Sequence, residues 1–540
     1  MPAQSRQPIH SLSLTDGQAL TIAQNTQIEE DAIHLGRDFA IAQQRAQLED
    51  ALATVENLEG ISTNADAHLQ INALIDIAEG FSQLGDNERS LEVLEKALRV
   101  AEGSSPNRYL HSLKNIAPYY RYLGAEDVLV SRLQAALYVD ESLTNRERKT
   151  ALSYLATGYM SVEDGDALKE GLSAILDQLE GVEDIDGSTR YIVRDMADSY
   201  GRLSDSAAAN AGLARLLAIA FKNLEVPTPA PYGEGVFYRL GQAYVLGEIA
   251  KAYALQENAS EATALLNQAI ALLDSEDVFY LGQAVPTVAR AYGYLANSAD
   301  AQTGLAALMD FTMNDSTESP LKQLESAEAI AIAYSQIGDS EKAQQTLDTA
   351  AGLVQSIDAQ SRQIMFLQRL AEGYGAIGNV AAQQTKLQQA FAVIDTLAPG
   401  EGLHSQAMYG LSEGYGQIED DAIAQALFEK LERFVRQVDV PEYGRAGALG
   451  ELALTAQRRG NYEDAQRLLA EAVAQLDSDE DIVPWRRLSA IRRIITGYGH
   501  LPDEAVKQAG LEQIRAIAPT LVEADAVAEV EDMIVRAYLF

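Results

Sequence analysis

The chain has 540 residues and a formal net charge of −38, from 41 basic and 79 acidic side chains. Such a surface argues against nucleic acid as a partner, because that binding depends on neutralising phosphates, and against anionic lipid. The chain has no cysteine, which excludes disulfides and thiolate metal sites. Net charge affects solubility and association rather than fold. Adaptation to a saline habitat and binding to a partner are therefore both possible reasons for the acidity.

Residues 1–36 read as an N-terminal arm. The start lacks the basic-then-apolar layout of a secretory signal, and no apolar run approaches the roughly 18 residues of a membrane span. We therefore expect a soluble protein without membrane insertion, cytoplasmic by default or extracellular if a leader was removed. SLSLTDGQALTI (11–22) alternates around Asp16-Gly17 and predicts a short hairpin or an arm that reaches a neighbour.

Residues 37–68 resemble the second helix of a hairpin without a clear first helix, and they predict an incomplete repeat or a cap. From residue 69 onward a small or aliphatic residue recurs, with an aromatic three positions later in every pair except Ala453 and Ala456, and this series is called the repeat ladder below. The first members are Ala78, Ala117, Ala156, Ala197, Ala250, Ala289, Ala331, Ala371, Ser412, Ala453 and Ile495. The steps between them are 39, 39, 41, 53, 39, 42, 40, 41, 41 and 42 residues. This regularity indicates about eleven structural repeats.

Each unit has the pattern of two amphipathic helices. In 325–354, apolar residues follow helical spacing up to Tyr334, Gly338 ends the first helix, and Asp339 or Ser340 caps the second. One hairpin cannot bury its own apolar face, so neighbouring units must stack into a continuous core. We predict repeats 1–4 over 69–224 and repeats 5–11 over 239–520.

The order of small, aromatic, Gly, Ala, large apolar and Ala resembles the tetratricopeptide repeat. The residues that carry it are Ala331, Tyr334, Gly338, Ala343, Leu347 and Ala350, with Ala453, Gly460, Ala465, Leu469 and Ala472 in a later unit. The period near 40 exceeds the standard 34, and the early Trp and closing Pro of the family are missing. The resemblance implies an all-α, right-handed superhelical solenoid of lengthened helices and, by association only, a habit of binding proteins.

One step of 53 residues contains EVPTPAPYGEGVFY (225–238), with prolines at three alternate positions. Proline disfavours helix, so we predict an insertion loop between the fourth and fifth repeats. Its aromatic residues make it either a contact loop or a tolerated surface insertion. The candidate contact residues are Tyr232, Phe237 and Tyr238.

Residues 521–540 predict the first helix of a further, half-complete repeat that ends in Tyr538, Leu539 and Phe540. Joined to the incomplete N-terminal repeat of a second chain, this helix would complete a unit. Such a heterologous contact generates filaments unless it closes into a ring. The alternative is that both ends are capping helices.

Chemical motifs are weak. GYGAIG (373–378) matches a dinucleotide-binding pattern but falls inside a first helix, and GLSEG (410–414) places Ser412 at a small packed position. The six histidines include no pair with zinc-helix spacing. We therefore expect no catalytic or metal site, no cofactor and no enzymatic activity.

First helices of such solenoids line the concave groove. The cations expected to face it lie one turn from the small residue: Lys114, Arg121, Arg194, Arg202, Lys251 and Arg290. Acidic residues expected there are Glu79, Asp198, Glu328, Glu372 and Glu413, and candidate aromatic anchors are Tyr122, Tyr191, Tyr294 and Tyr409. Two interpretations fit these residues: an ordinary mixed polar surface, or an arginine-bearing groove that binds an acidic peptide. Two functions follow: a scaffold that binds a protein or peptide, or a subunit whose partner is another copy.

Overall fold

The computed structural model describes residues 64–521 with gaps, and separate helical turns between 45 and 55 and between 526 and 537. The gaps are 104–105, 138–142, 182–188, 224–233, 274–283, 296–297, 315–318, 397–404, 438–443 and 479–483. Within these described ranges every regular element is a helix, and the α-helices form eleven consecutive pairs. The predicted all-α solenoid of about eleven helical hairpins is confirmed.

The first helices of the pairs are α1 (Asn64–Gln83), α3 (Pro106–Tyr122), α5 (Asn145–Tyr159), α7 (Thr189–Gly201), α9 (Glu234–Leu255), α11 (Ala284–Gly293), α13 (Pro320–Gln336), α15 (Gln360–Ala376), α17 (Ser405–Gly416), α19 (Gly444–Gln457) and α21 (Pro484–Gly499).

The second helices are α2 (Asn87–Glu102), α4 (Glu126–Ala136), α6 (Gly165–Glu180), α8 (Ser206–Asn223), α10 (Ala259–Leu273), α12 (Ala299–Asn314), α14 (Ser340–Ala351), α16 (Val380–Val393), α18 (Asp421–Gln437), α20 (Tyr462–Ser478) and α22 (Glu504–Leu521). Short 3₁₀ turns extend α14 (Gly352–Ser356) and α16 (Ile394–Thr396).

The repeat ladder marks the core. All eleven small residues of the ladder and their partners three positions later are buried. At the predicted boundary between α13 and α14, Gly338 has φ +86°, a left-handed conformation that favours glycine. The side chain of Asp339 accepts a hydrogen bond from the Lys342 backbone N–H at 3.1 Å. The predicted hairpin boundary is therefore confirmed at both residues.

The core continues along the array through α15. Phe366, Leu370 and Tyr374 on this helix pack with the core of the preceding repeats, while Ile364 and Leu367 pack with the core of the following ones. A helix that contributes to two clusters joins them into one stack. This is the shared burial that a repeat protein needs, since each unit contacts only its neighbours.

Successive first helices pack closely, and successive second helices contact each other far less. A Cβ built on Gly201 would lie 3.4 Å from Ala252 Cα, and one on Gly293 would lie 3.3 Å from Ala333 Cα. The backbones thus approach at glycines that directly follow a repeat tyrosine, Gly201 after Tyr200 and Gly293 after Tyr292. Because successive first helices lie closer together than successive second helices, the array curves towards the layer of first helices.

The second helices explain a further set of glycines that the sequence analysis missed. A Cβ on Gly171, Gly212 or Gly304 would lie 2.1–2.2 Å from the ring of a repeat tyrosine. In each case the glycine follows that tyrosine by twelve residues, as Gly304 follows Tyr292. The ring therefore lies against bare backbone of the second helix, and this fixed spacing is the signal in the sequence.

The predicted insertion loop is too long at its C-terminal side. Helix α9 begins at Glu234, so Phe237 and Tyr238 belong to a first helix rather than to a loop. Proline fixes its own φ and disfavours helical geometry in the residue and the turn that precede it. The residues after Pro231 are not restricted in this way and can form a helix. Similarly, α1 begins at Asn64, before the predicted start of the first repeat.

The described turns at both ends pack onto the terminal hairpins. Near the N-terminus Leu48 and Leu52 are buried, and Arg89 of α2 donates to Glu49 at 2.6 Å. Gln70 of α1 donates to the Val55 carbonyl at 3.1 Å, so these turns contact both helices of the first hairpin. Near the C-terminus Ile534 is buried, and a Cβ on Gly499 of α21 would lie 3.1 Å from Ala537 Cα.

Candidate interaction face

The solvent-facing side of the first helices is called the first-helix face below. All six predicted cations are at least partly exposed there. Lys251 donates to Asp198 and Arg194 donates to Asp195, each at 2.8 Å, and Arg121 pairs with Glu163. Among the described residues, Lys114, Arg202 and Arg290 have no carboxylate within ion-pair distance. The predicted cations thus divide into three that are paired and three that are not.

The predicted aromatic anchors are exposed on the same face. Tyr122 is 75% exposed, and Tyr191, Tyr294 and Tyr409 are 44%, 45% and 47% exposed. Three of these rings lie beside a cation: Arg194 is 5.5 Å from the centre of Tyr191, Lys251 is 5.7 Å from that of Tyr294, and Arg458 is 5.7 Å from that of Tyr409. A tyrosine ring presents both apolar area and a polar hydroxyl to a partner. Because a neighbouring cation already holds the ring in place, binding a partner costs the side chain little conformational freedom.

Some acidic residues on the first helices are buried, which the sequence analysis did not foresee. Asp195, Glu248 and Glu451 are nearly inaccessible, and each lies two residues before a small residue of the ladder. Asp195 accepts from the Thr157 hydroxyl at 2.5 Å, and the Glu451 carboxylate lies 3.5 Å from Arg493 Nε. A carboxylate repeated within the apolar stripe was the signal available in the sequence.

Burial alters how these carboxylates titrate. The pKa of Glu248 is raised by its burial and by the neighbouring charge of Asp198. The pKa of Glu328 is also raised by burial, although Arg369 Nε donates to it at 2.5 Å and favours its charged form. The pKa of Glu372 is raised by burial and by Glu413. Asp195, Glu248, Glu328 and Glu451 are therefore embedded in the helix packing, whereas Glu372 and Glu413 stay partly exposed beside the cations and tyrosines.

The motif residues occupy packing positions. Ser412 is fully buried, and its hydroxyl accepts from the Thr455 hydroxyl at 2.6 Å. Gly373 and Gly375 lie inside α15, where a Cβ on Gly373 would lie 3.1 Å from Leu347. Both findings agree with the interpretation of these residues as parts of the repeat.

Other predicted contact residues lie beyond the described part of the chain. These are Tyr232, Tyr538, Leu539 and Phe540. Phe237 and Tyr238 are helical, but their side chains are not described. No helix in the described ranges combines the length and apolar character needed to cross a bilayer.

Comparison with known proteins yields only distant similarities. No protein-family model matches the chain, and no curated protein matches it. Among solved structures, Ton1535 from Thermococcus onnurineus NA1 is 11% identical, covers 76% of this chain and 99% of its own, and has a TM-score of 0.24. A circular tandem repeat protein is 12% identical, with 92% and 98% coverage and a TM-score of 0.19. A human IFIT1 dimer with PPP-AAAA is 13% identical, with 80% and 95% coverage and a TM-score of 0.24. TM-scores this low show neither a common fold nor common ancestry with these proteins.

Proposed function

We propose that this chain is a non-enzymatic scaffold of the tetratricopeptide-like type that binds a protein segment along its first-helix face. The observation that carries the proposal is the set of exposed tyrosines beside cations at the first helices of the fourth, sixth and ninth repeats, Tyr191, Tyr294 and Tyr409. Tyrosine and arginine are enriched among the residues that dominate binding energy at protein interfaces. Curvature towards this face lets side chains from several repeats contact one extended segment.

The direct test is capture of proteins from the native source by immobilised chain. We expect the variant Tyr191→Ala/Tyr294→Ala/Tyr409→Ala to lose a partner that the wild type retains, with at least about tenfold weaker affinity, since anchor residues contribute about 2 kcal/mol or more. The matched control is Tyr462→Ala on second helix α20, whose ring is 37% exposed. A variant that captures the same proteins as the wild type would contradict the proposal.

A second candidate is head-to-tail self-assembly. It is favoured by helical turns that lie beyond the complete hairpins at both ends, since the 45–55 turns pack on the first hairpin and the 526–537 turns pack on first helix α21. Placed against each other in two chains, they would supply the two halves of one hairpin. Sedimentation velocity over a wide concentration range tests this candidate, and a monomer throughout would eliminate it. Deletion of Tyr538–Phe540 is expected to abolish polymers and to leave binding at the first-helix face unchanged.

A further inference from the structure

An open groove lies between the second helices α2 and α4, in the layer opposite the first-helix face. Its volume is about 630 Å³. Helix α2 has 16 residues and α4 has 11, so α4 lies beside only part of the length of α2. The residues of α2 that line the groove recur at the spacing of a single helix face. They are Glu88, Leu91, Glu92, Glu95, Lys96 and Arg99.

The middle of the groove is apolar. Leu91 lines it from α2, Val128 lines it from α4, and the buried ring of Tyr120 also contributes. Val128 is 38% exposed, although it lies in a concave site. Apolar side chains left exposed in a concave site gain free energy when a ligand with apolar groups covers them.

The end of the groove near the start of α2 is acidic. Arg89 pairs with Glu49 and with Glu92, each at 2.6 Å, so two carboxylates share one cation. The side chain of Glu88 is exposed and has no ion-pair or hydrogen-bond partner among the described residues. Asp127, in the first turn of α4, is a further exposed carboxylate. This end can therefore bind a cation.

The other end of the groove is basic. Arg132 of α4 pairs with Glu95 and, at 3.4 Å, with Glu102 of α2. Lys96 and Arg99 also lie here, so three cations face two carboxylates. Arg99 is exposed, and its guanidinium group pairs with no residue in the described part of the chain. This end can bind a carboxylate, whose two oxygens match the planar guanidinium group.

The distance between the two unpaired charges selects a length of ligand. Glu88 and Arg99 are eleven residues apart on α2, which is about 16 Å at a rise of about 1.5 Å per residue. An extended peptide covers about 3.3 Å per residue, so five residues span this distance from the amino to the carboxyl end.

We propose that the groove binds a free peptide of about five residues. Its terminal ammonium lies at Glu88, its terminal carboxylate lies at Arg99, and its apolar side chains contact Leu91 and Val128. This inference goes beyond the proposed scaffold function and does not depend on it, because the groove and the first-helix face lie in different layers. Peptide titration and capture by the tyrosine variants can therefore fail separately.

The probe is Ala-Leu-Ala-Leu-Ala with free ends, titrated into the full chain by isothermal titration calorimetry. We expect a dissociation constant below about 1 mM. Acetylation or amidation of the peptide should each weaken binding about fivefold, which is the upper range for one exposed ion pair. Ala-Leu-Ala cannot reach both ends and should also bind about fivefold more weakly. The proposal is overturned if the free peptide does not bind at about 1 mM, or if the doubly blocked peptide binds equally well.

The amidated peptide also tests a simpler attraction. It carries a positive charge only, so it would bind more tightly than the free peptide if the net charge of −38 alone attracted it. That result would overturn the assignment of the peptide carboxylate to Arg99.

Substitutions at the two ends separate binding from folding. Glu88→Arg and Arg99→Glu should each weaken binding of the free peptide about fivefold. The double variant Glu88→Arg/Arg99→Glu should bind about threefold more tightly than either single variant, because the peptide can then lie in the reverse direction. Both side chains are exposed, so we expect all three variants to fold.

The matched control is Glu429→Arg/Arg433→Glu, which exchanges the same charges at exposed positions of second helix α18. It should change the affinity less than about twofold, because charges far from the groove are screened. A double variant at the groove that binds no better than the single variants, or a control that weakens binding as much as they do, would overturn the proposal.

Discussion

The first helices of this solenoid pack through close backbone approach, whereas the second helices are spaced more widely and are linked by ion pairs between neighbouring repeats. A Cβ on Gly247 in α9 would lie 3.2 Å from Val288 N in α11. In the second-helix layer, Arg215 reaches back to Asp177 at 2.7 Å, and Arg467 reaches back to Glu432 at 2.8 Å. Small residues thus set the spacing of one layer, and long charged side chains cross the gaps of the other.

This difference relates the composition of the chain to its curvature. A layer held by glycine and alanine is short and rigid, because backbone contacts leave no room for adjustment. A layer crossed by flexible arginines tolerates wider spacing, and each exposed pair contributes little stability. The chain therefore curves towards its first helices.

The largest effect should come from enlarging a glycine between first helices. Gly247→Val would force α9 away from α11, because the added atoms meet the backbone of residues 287 and 288. Overpacking of this kind costs about 3 kcal/mol. Thermal unfolding followed by circular dichroism would measure it. The same substitution at Gly352, which has nothing within 4 Å, should change stability by less than about 0.5 kcal/mol. Equal effects at the two sites would contradict the close-packed first layer.

The sequence predicted the repeat register well because burial imposes it. Every small residue of the ladder and every partner three positions later is buried, since a hairpin that misplaced one would lose core contacts. The turn at Gly338 was predictable for a local reason, because a positive φ at the end of a helix favours glycine over other residues. The start of α9 was not, because proline excludes helix upstream and leaves the downstream boundary open.

The candidate site was predictable only in part. Spacing from the small residue placed Tyr191, Tyr294 and Tyr409 on an exposed face, because helical geometry is regular. It did not reveal that Lys251 pairs with Asp198 of the preceding first helix, since that contact depends on the packing of one repeat on the next. It also did not separate buried Glu328 from exposed acids, because packing against the next first helix decides their exposure.

Ion pairs of the two layers should differ in magnitude and in their response to salt. Arg369→Gln removes the partner of the buried carboxylate of Glu328 and should cost about 2 kcal/mol, since a buried charge loses its hydrogen bond. Arg436→Gln removes one exposed pair within α18, to Glu432, and one between α18 and α20, to Glu471, and should cost less than about 1 kcal/mol. Unfolding in low and high salt measures both. The Arg436 effect should shrink at high salt and the Arg369 effect should persist, so an identical response would be inconsistent with the layers described.

Two buried tyrosines allow a closer comparison of how the layers are joined. Tyr120 donates its hydroxyl to Glu95 of the preceding second helix at 2.5 Å. The hydroxyl of Tyr292 is buried over Gly304, and the described residues offer it no hydrogen-bond partner. Tyr120→Phe should therefore destabilise by about 1 kcal/mol, while Tyr292→Phe should be neutral or slightly stabilising. Denaturant unfolding of the two variants checks the difference, and an equal loss would show that hydroxyl pairing does not distinguish these sites.

The smallest effect should be a change in the pH dependence of stability. Burial raises the pKa of Glu248 and Glu328 in the folded chain, so that state holds their protons more tightly than the unfolded state. Their contribution therefore stabilises the fold as pH falls below neutrality towards the raised pKa. Asp205 has the opposite sign, because a backbone N–H from Ala208 and its pairing with Lys169 lower its pKa. Stability from Asp205 is fully present above its ordinary pKa of 3.8 and is lost only as pH falls below that value.

Melting temperatures at pH 7 and pH 5.5 separate these contributions from the general relief of repulsion in so acidic a chain. Glu248→Gln/Glu328→Gln should reduce the gain in melting temperature on acidification, because two proton-binding groups are removed. Asp205→Asn should leave that gain nearly unchanged, because a carboxylate whose pKa is lowered stays charged in the folded and the unfolded state across this range. Both variants change the net charge in the same direction, so repulsion alone predicts a similar reduction for each charge removed. A reduced gain in the glutamate variant alone would assign the pH response to the buried carboxylates of the first-helix layer, and equal reductions per charge would contradict that assignment.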